Sequence, residues 1–134
     1  MPLVNIDLLS GRSQSQLDAI AACVQAAIVE VLGVPERNRF CLVTEHEPGT
    51  LEFDRAYLGG DRGAGFVLIR LLLATGRSVE TKRRFYSRVA DLLADRAEVR
   101  PEDVMIVLAE NTREDWSYGR GAVDYLDKPR EEWR

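Results

Sequence analysis

The chain has a single histidine, His46, and two cysteines, Cys23 and Cys41, among its 134 residues. One histidine gives almost no raw material for a zinc site or a Ser-His-Asp triad. The cysteines fall in apolar runs and form no CxxC or Cys/His cluster, so neither a disulfide framework nor a redox pair is expected. A basic excess is also missing. With a net charge of -4 and a pI near 5.1, no positive field exists to hold a phosphate backbone, and no nucleic-acid partner is expected. The longest apolar run, Phe66 to Ala74, is broken by Arg70 and too short to cross a bilayer, so no membrane partner is expected either. No signal-like segment precedes the first strand pattern, and the expected localisation is cytoplasmic. There is no Gly-rich phosphate cradle followed by lysine. The reading therefore calls for no cofactor and no metal.

What remains is a composition suited to one packed domain, 46% hydrophobic and 30% charged. The expected domain spans 1–126, and 127–134 form a charged tail expected to fray. Inside the domain is a repeat. Gly11-Arg12-Ser13 recurs as Gly76-Arg77-Ser78, Pro35-Glu36 as Pro101-Glu102, and Glu45 as Glu110, with one residue of slip between halves at about 1–45 and 66–110. Each half reads as an apolar strand, a Gly-Arg-Ser turn, a helix, a Pro-Glu turn and a second strand. Leu3 to Leu9 alternates in polarity. Ser13 with Gln16 forms a capping box ahead of an apolar stripe through Leu17, Ile20, Ala21, Val24 and Ile28, and Gly33 stops the helix. Phe40–Thr44 is the next strand and Phe66–Leu73 opens the second half. Ser78 caps a helix whose Phe85, Val89, Leu92 and Leu93 face inward, and Val104–Ala109 is the last strand. The predicted fold is α/β: two consecutive β-α-β units, a four-stranded mixed sheet and two helices on one face. The link from Glu45 to Gly65 is long enough to be functional or mobile.

On the strand opening the second half, Val67, Ile69, Leu71 and Leu73 share one side, and Leu68, Arg70 and Leu72 the other. Helices cover one side only, so the second apolar face calls for burial by another subunit.

Chemistry is carried by the chain start. A methionine before a small residue such as proline is normally removed, which would expose Pro2 as a secondary amine at the head of a strand. An α-amino group titrates at roughly 7.7–8.0, and nearby cations lower it further. Such an amine abstracts a proton beside a carbonyl or attacks it. If the halves pair about a pseudo-twofold axis, their leading strands are antiparallel and Pro2 lies beside the Gly76-Arg77 end of the second. Arg77 is then the candidate for holding a carboxylate over the amine, helped by the adjacent helix N-terminus. Arg12 is at the far end of its own strand, more than roughly 20 Å from Pro2 at ~3.3 Å per residue. It belongs to a vestigial second site whose counterpart of Pro2 is Val67.

Met1-Pro2-Leu3-Val4, the Gly-Arg-Ser turns and the doubled β-α-β pattern resemble the tautomerase superfamily. Gly33-Val34-Pro35-Glu36-Arg37, Thr44-Glu45-His46, Glu110-Asn111-Thr112 and Asp115-Trp116-Ser117-Tyr118-Gly119 are similar to its malonate semialdehyde decarboxylase branch. The resemblance implies a homotrimer with sites near subunit contacts, a catalytic proline matched by Pro2, and arginine binding of a small carboxylate substrate. It implies aromatic lining from Trp116 and Tyr118, whose other reading is to anchor a C-terminal segment to a neighbour. The branch's aspartate in the turn after Pro-Glu-Arg is Asn38 here, an amide able to orient water or a carbonyl but not to take a proton. Its second arginine has no counterpart at Ala74, Thr75 or Val79. Arg70, a candidate substrate contact, is about 23 Å along an extended strand from Arg77 and fits equally as an interface ion pair. Arg39 or Arg62 of a neighbour are further candidates. The expected function is a cofactor-independent tautomerase acting on a small 2-oxo or enol acid, with Pro2 and Arg77 catalytic. Decarboxylation or hydration of a 3-oxo acid and a non-catalytic trimeric scaffold are the alternatives. His46 reads as a hydrogen-bonded loop residue, and Lys82, Arg83, Arg84 and Arg88 as a solvated helix face.

Overall fold

A computed structural model describes residues 2–133. Its core is a four-stranded mixed sheet in the order β2-β1-β3-β4, built from β1 (Leu3–Leu9), β2 (Phe40–His46), β3 (Val67–Ala74) and β4 (Val104–Asn111). Parallel β1–β2 and β3–β4 pairs are joined by an antiparallel β1–β3 contact, which sets Leu3 opposite Leu72 and Leu8 opposite Val67. Helices α1 (Gln14–Leu32) and α2 (Val79–Arg96) pack side by side. The duplicated β-α-β architecture expected from the repeat is the one observed.

Local chemistry explains the elements. Ser13 Oγ accepts from the Gln16 amide at 3.2 Å while Gln16 Oε1 accepts from the Ser13 amide at 2.8 Å, closing the capping box on α1. Ser78 Oγ accepts from the Thr81 amide at 3.2 Å and starts α2. Both turns into these helices need a glycine: Gly11 and Gly76 have φ of 128° and 123°, strained for any side chain. The buried layer joins Val4, Ile6, Leu8, Ile69, Leu71 and Leu73 of the sheet to Ile20, Val24, Ile28, Phe85, Val89 and Leu93 of the helices. By length and composition α1 could cross a membrane, but its apolar stripe is the one packed in this layer.

Boundaries differ slightly from the sequence reading. β2 runs on to His46 because it stays in register with β1 to Leu9. β3 begins at Val67, since the Phe66 amide donates to Gly63 O in a turn. The β2–β3 link is tied down by contacts: Phe53 and Phe66 stack at 4.2 Å, and Asp54 Oδ1 accepts the Ala56 and Tyr57 amides. In the segment expected to fray, α3 (Asp124–Asp127) leads into a 3-10 turn at Arg130–Glu132; residues 127–132 are exposed, and the half-buried Trp133 lies edge-on to Tyr125 at 4.8 Å.

The other sheet face is uncovered. Phe40, Leu42, Leu72, Met105 and Val107 are between 40% and 49% exposed there, and Asp7, His46 and Arg70 lie among them by register.

Candidate active site

The starts of β1 and β2 and the ends of β3 and β4 meet at one end of the sheet. Parallel pairing of Leu3 with Phe40 brings Asn38 and Arg39 level with the start of β1. Antiparallel pairing of Leu3 with Leu72 puts Pro2 next to Leu73, just ahead of the Ala74–Arg77 turn. Pairing of Ala74 with Asn111 sends Thr112 and Arg113 out of β4 beside that turn. Pro2 is buried there. A cleft of about 820 Å³ opens at this end, lined by Asn38, Thr75, Gly76, Arg77, Arg113, Tyr125, Arg130 and Trp133 among others.

Arg77 is fixed by an NH1 bond to Ala74 O at 2.8 Å. Burial draws its pKa down and the charge of Glu110 opposes this, which leaves a cation at any working pH. Glu110 itself is held below its ordinary pKa, first by the Lys82 ion pair and then by a hydrogen bond from Thr75. Arg77 follows directly on Gly76 and precedes the Ser78 cap, so an anion bound to it also meets the N-terminal end of the α2 dipole.

An aromatic chain flanks the cleft. Trp116 Nε1 donates to Asn111 Oδ1 at 2.8 Å, and its ring stacks on Tyr118 at 5.8 Å. Tyr118 lies 6.0 Å from Phe40 and donates its hydroxyl to the Tyr125 hydroxyl at 3.2 Å. Burial and that contact push the Tyr118 phenol well above its ordinary pKa, so it stays neutral. Tyr118 and Asn38 line a second, smaller depression of about 340 Å³ next to the first.

The structure thus gathers Pro2, Asn38 and Arg77 at one sheet end, with Trp116 and Tyr118 beside them. Arg70 is not among them. Strand alternation puts it on the uncovered face, where it donates to Asp7 Oδ2 at 2.8 Å, while His46 Nε2 lies 2.7 Å from Asp7 Oδ1. Of the two arginines expected from a neighbouring subunit, Arg62 is bonded within its own chain to Asp54 O and Tyr57 O, and Arg39, level with the start of β1, lines a groove beside α1. The helix basic group is less solvated than its pattern indicated, because Lys82 pairs with Glu110 and Arg88 with Glu30. Sequence reasoning missed Arg113, Arg130 and Trp133. The signal for Arg113 was present: parallel β3 and β4 must deliver their following residues to the same end. No such rule locates Arg130. Among the described residues no group of three His, Cys, Asp or Glu side chains gathers as a metal site.

A duplicated β-α-β fold with an arginine-lined cleft at one sheet end defines a small α/β protein. Comparison with known proteins makes it specific. The chain belongs to the tautomerase family and is an enzyme of that superfamily: two models described as tautomerase enzyme match residues 38–119 and 2–54. The probable tautomerase YusQ of Bacillus subtilis (strain 168) is 33% identical over 127 residues, 95% of this chain and all of that one. The solved FG41 malonate semialdehyde decarboxylase is 40% identical with a TM-score of 0.87, covering 93% of this chain and 95% of its own. A fused 4-OT solved as an asymmetric trimer shares the fold alone, at 17% identity and a TM-score of 0.75 over 94% of this chain and 99% of that one.

Proposed function

We propose that this enzyme is a cofactor-independent tautomerase that moves a proton between carbon and oxygen of a small 2-oxo or enol acid. The observation that carries the reading is the junction of Pro2, Asn38 and Arg77 at one end of the sheet, opening on an anion-attracting cleft. With the initiator methionine removed, the Pro2 amine is a base of suitable strength, lowered by burial and by the Arg77 charge. It takes the proton from one site of the substrate and returns it at the other. Arg77 holds the carboxylate and stabilises the enolate, Asn38 orients the carbonyl oxygen, and Trp116 and Tyr118 keep water out. The uncovered sheet face is closed in a homotrimer, as the trimeric fused 4-OT and the five exposed apolar side chains support.

Decarboxylation of a 3-oxo acid is the second reading, favoured by 40% identity to the FG41 malonate semialdehyde decarboxylase over nearly the whole chain. There a protonated Pro2 polarises the carbonyl as carbon dioxide leaves. Asn38 weighs against the hydration variant, since an amide takes no proton from water.

The test is ultraviolet absorbance of phenylenolpyruvate and 2-hydroxymuconate with untagged protein whose intact mass has been measured. Accelerated ketonisation by chains lacking the methionine is the expected result. Silence on both enols, with carbon dioxide released from malonate semialdehyde, would replace the first reading by the second.

A further inference from the structure

The aromatic wall beside the cleft carries two hydroxyls that keeping water out does not require, since phenylalanine would serve there. Tyr118 donates its proton to the Tyr125 oxygen at 3.2 Å, which leaves the Tyr125 O–H to point elsewhere. Among the described residues no acceptor in the chain takes it. The Tyr125 ring is fixed between Tyr118, edge-on at 5.5 Å, and Trp133 at 4.8 Å. Helix α3, which carries it, is closed by the Val123 amide donating to Asp127 Oδ2 at 3.1 Å and by the Lys128–Asp124 ion pair at 2.9 Å. Tyr125, Asn38 and Trp133 line both the large and the small depression, so they stand on the border the two share. Asn38 is tied to the chain through its backbone: its N–H donates to Pro35 O at 2.9 Å and its carbonyl accepts from Gln25 at 3.5 Å. Among the described residues its side-chain amide bonds no other group and is a second donor on the same border.

We propose that Tyr125 is a further catalytic residue: its hydroxyl, with the Asn38 amide, forms a two-donor cradle for the substrate oxygen that becomes charged during proton transfer. The proposal rests on the proton-transfer reading above and names the donors that reading leaves open. In ketonisation Pro2 takes the enol O–H proton and delivers it to the adjacent carbon of the double bond. While the proton is in transit the negative charge lies on the oxygen. Arg77 has one N–H on Ala74 O and, in this reading, its fork on the carboxylate, so a directed donor to the oxygen comes from elsewhere. Donors preorganised in a site sheltered from water stabilise such a charge far better than water does. Tyr125 donates without giving its proton up. Tyr118 is a positioning residue that acts through Tyr125, because a hydroxyl that accepts a hydrogen bond becomes a stronger donor in turn.

Tyr125→Phe keeps the ring and removes the donor. In phenylenolpyruvate ketonisation it should lower kcat about a hundredfold, the scale of losing one oxyanion donor, at nearly unchanged KM, the signature of an interaction made in the transition state. Tyr118→Phe should cost less, and the double variant no more than Tyr125→Phe alone, since the two hydroxyls act in series. Additive losses would make Tyr118 a structural residue and break the relay. Wild-type kcat in Tyr125→Phe would overturn the cradle. Asn38→Ala repeats the measurement from the other side of the border should Tyr125→Phe fold poorly, and wild-type kcat there would overturn it equally. A binding arm needs no turnover. Quenching of tryptophan fluorescence compares each enantiomer of 3-phenyllactate, which has an oxygen beside the carboxylate, with 3-phenylpropionate, which has none. The wild type should favour one phenyllactate about threefold to tenfold, the scale of a neutral hydrogen bond, and Tyr125→Phe should remove the preference. If the wild type leaves both enols untouched, the proton-transfer reading fails and this arm decides alone. A preference lost in Tyr125→Phe then keeps the cradle as a binding site for that oxygen, and equal affinities, or a preference that survives the change, overturn it.

Discussion

The two ends of the sheet are built from the same pattern and end up with opposite properties. Strand register makes Pro2 and Val67 counterparts, and likewise Arg77 and Arg12, and Asn38 and Asp103. At the Arg77 end, Arg77 and Asn38 border an open cleft, and Pro2 is buried at the same strand ends. At the Arg12 end the chain itself fills the space. Arg12 NH2 donates to Gly65 O at 2.9 Å, and Asp103 Oδ1 accepts the Gly63 amide at 2.7 Å while also bonding Arg100. Both arginines bond a main-chain carbonyl, but that of Arg77 is Ala74 O in its own turn, whereas that of Arg12 is Gly65 O from a distant segment that closes the end. The closed end shows what the arginine of this motif does when its ligand is covalently supplied, and Val67, in mid-chain, has no amine to offer.

The widest separation between the ends should come from the proline. Pro2→Ala should lower kcat/KM for phenylenolpyruvate ketonisation about a hundredfold or more, the scale of losing a general base, whereas Val67→Ala should act through core packing on the melting temperature. Equal turnover by Pro2→Ala and wild type would break the comparison at its root. Next come the arginines. Arg77→Gln should reduce kcat/KM about tenfold to a hundredfold and, because it also gives up the bond to Ala74 O, should lower the melting temperature as well. Arg12→Gln should leave turnover in place and lower the melting temperature, because its partner is the chain.

Much of this contrast could be read from the sequence, and the part that could not has a physical reason. Gly-Arg-Ser occurs twice with capping serines, and period-2 and helical stripes flank both copies, so local chemistry announces two β-α-β units. The antiparallel meeting of β1 and β3 follows from pseudo-twofold pairing and by itself selects Arg77 over Arg12 as the neighbour of Pro2. The plugging of the second end depends on contacts 40 and 53 residues apart, Asp103 with Gly63 and Arg12 with Gly65, and no local pattern encodes these. The same holds for Arg130. It reaches the cleft because Trp133 packs on Tyr125, a contact between aromatics in a stretch whose charge density reads as a solvated tail.

Filling the closed end further should harm stability but not chemistry. A Cβ on Gly65 would lie 2.9 Å from Asp103 Oδ2 and 3.6 Å from Arg12 NH2. Asp103 is held by Arg100 and the Gly63 amide and cannot withdraw freely, so Gly65→Ala should destabilise by about 1–3 kcal/mol, as overpacking does, measured by urea unfolding. A wild-type midpoint would mean that the plug is loose and the two ends are less different than their contacts indicate.

The smallest effect is one of pH, and it tests the charge at the closed end alone. Burial pushes the Asp103 carboxyl up, but the Arg100 hydrogen bond, the Gly63 amide and the Arg12 charge outweigh it and hold the pKa below its ordinary value. Only 5% of that side chain is exposed. A carboxyl whose folded pKa is depressed contributes stability that is fully present above its unfolded pKa, about 3.9. The contribution is lost as pH falls through the lower folded value. Thermal stability should therefore decline below about pH 4, and Asp103→Asn should make the decline shallower while lowering stability at neutral pH. Asp7 gives the internal control. Burial pushes its carboxyl up as well, and bonds from His46 and Arg70 bring it below the ordinary value, so Asp7→Asn should flatten the same acid limb independently. The open end has neutral Asn38 in the place of Asp103, and Asn38→Ala should leave the slope of that limb unchanged. An acid limb that Asp103→Asn does not alter would mean that Arg12 is held by the Gly65 carbonyl alone, and the charge difference between the two ends would carry no weight in stability.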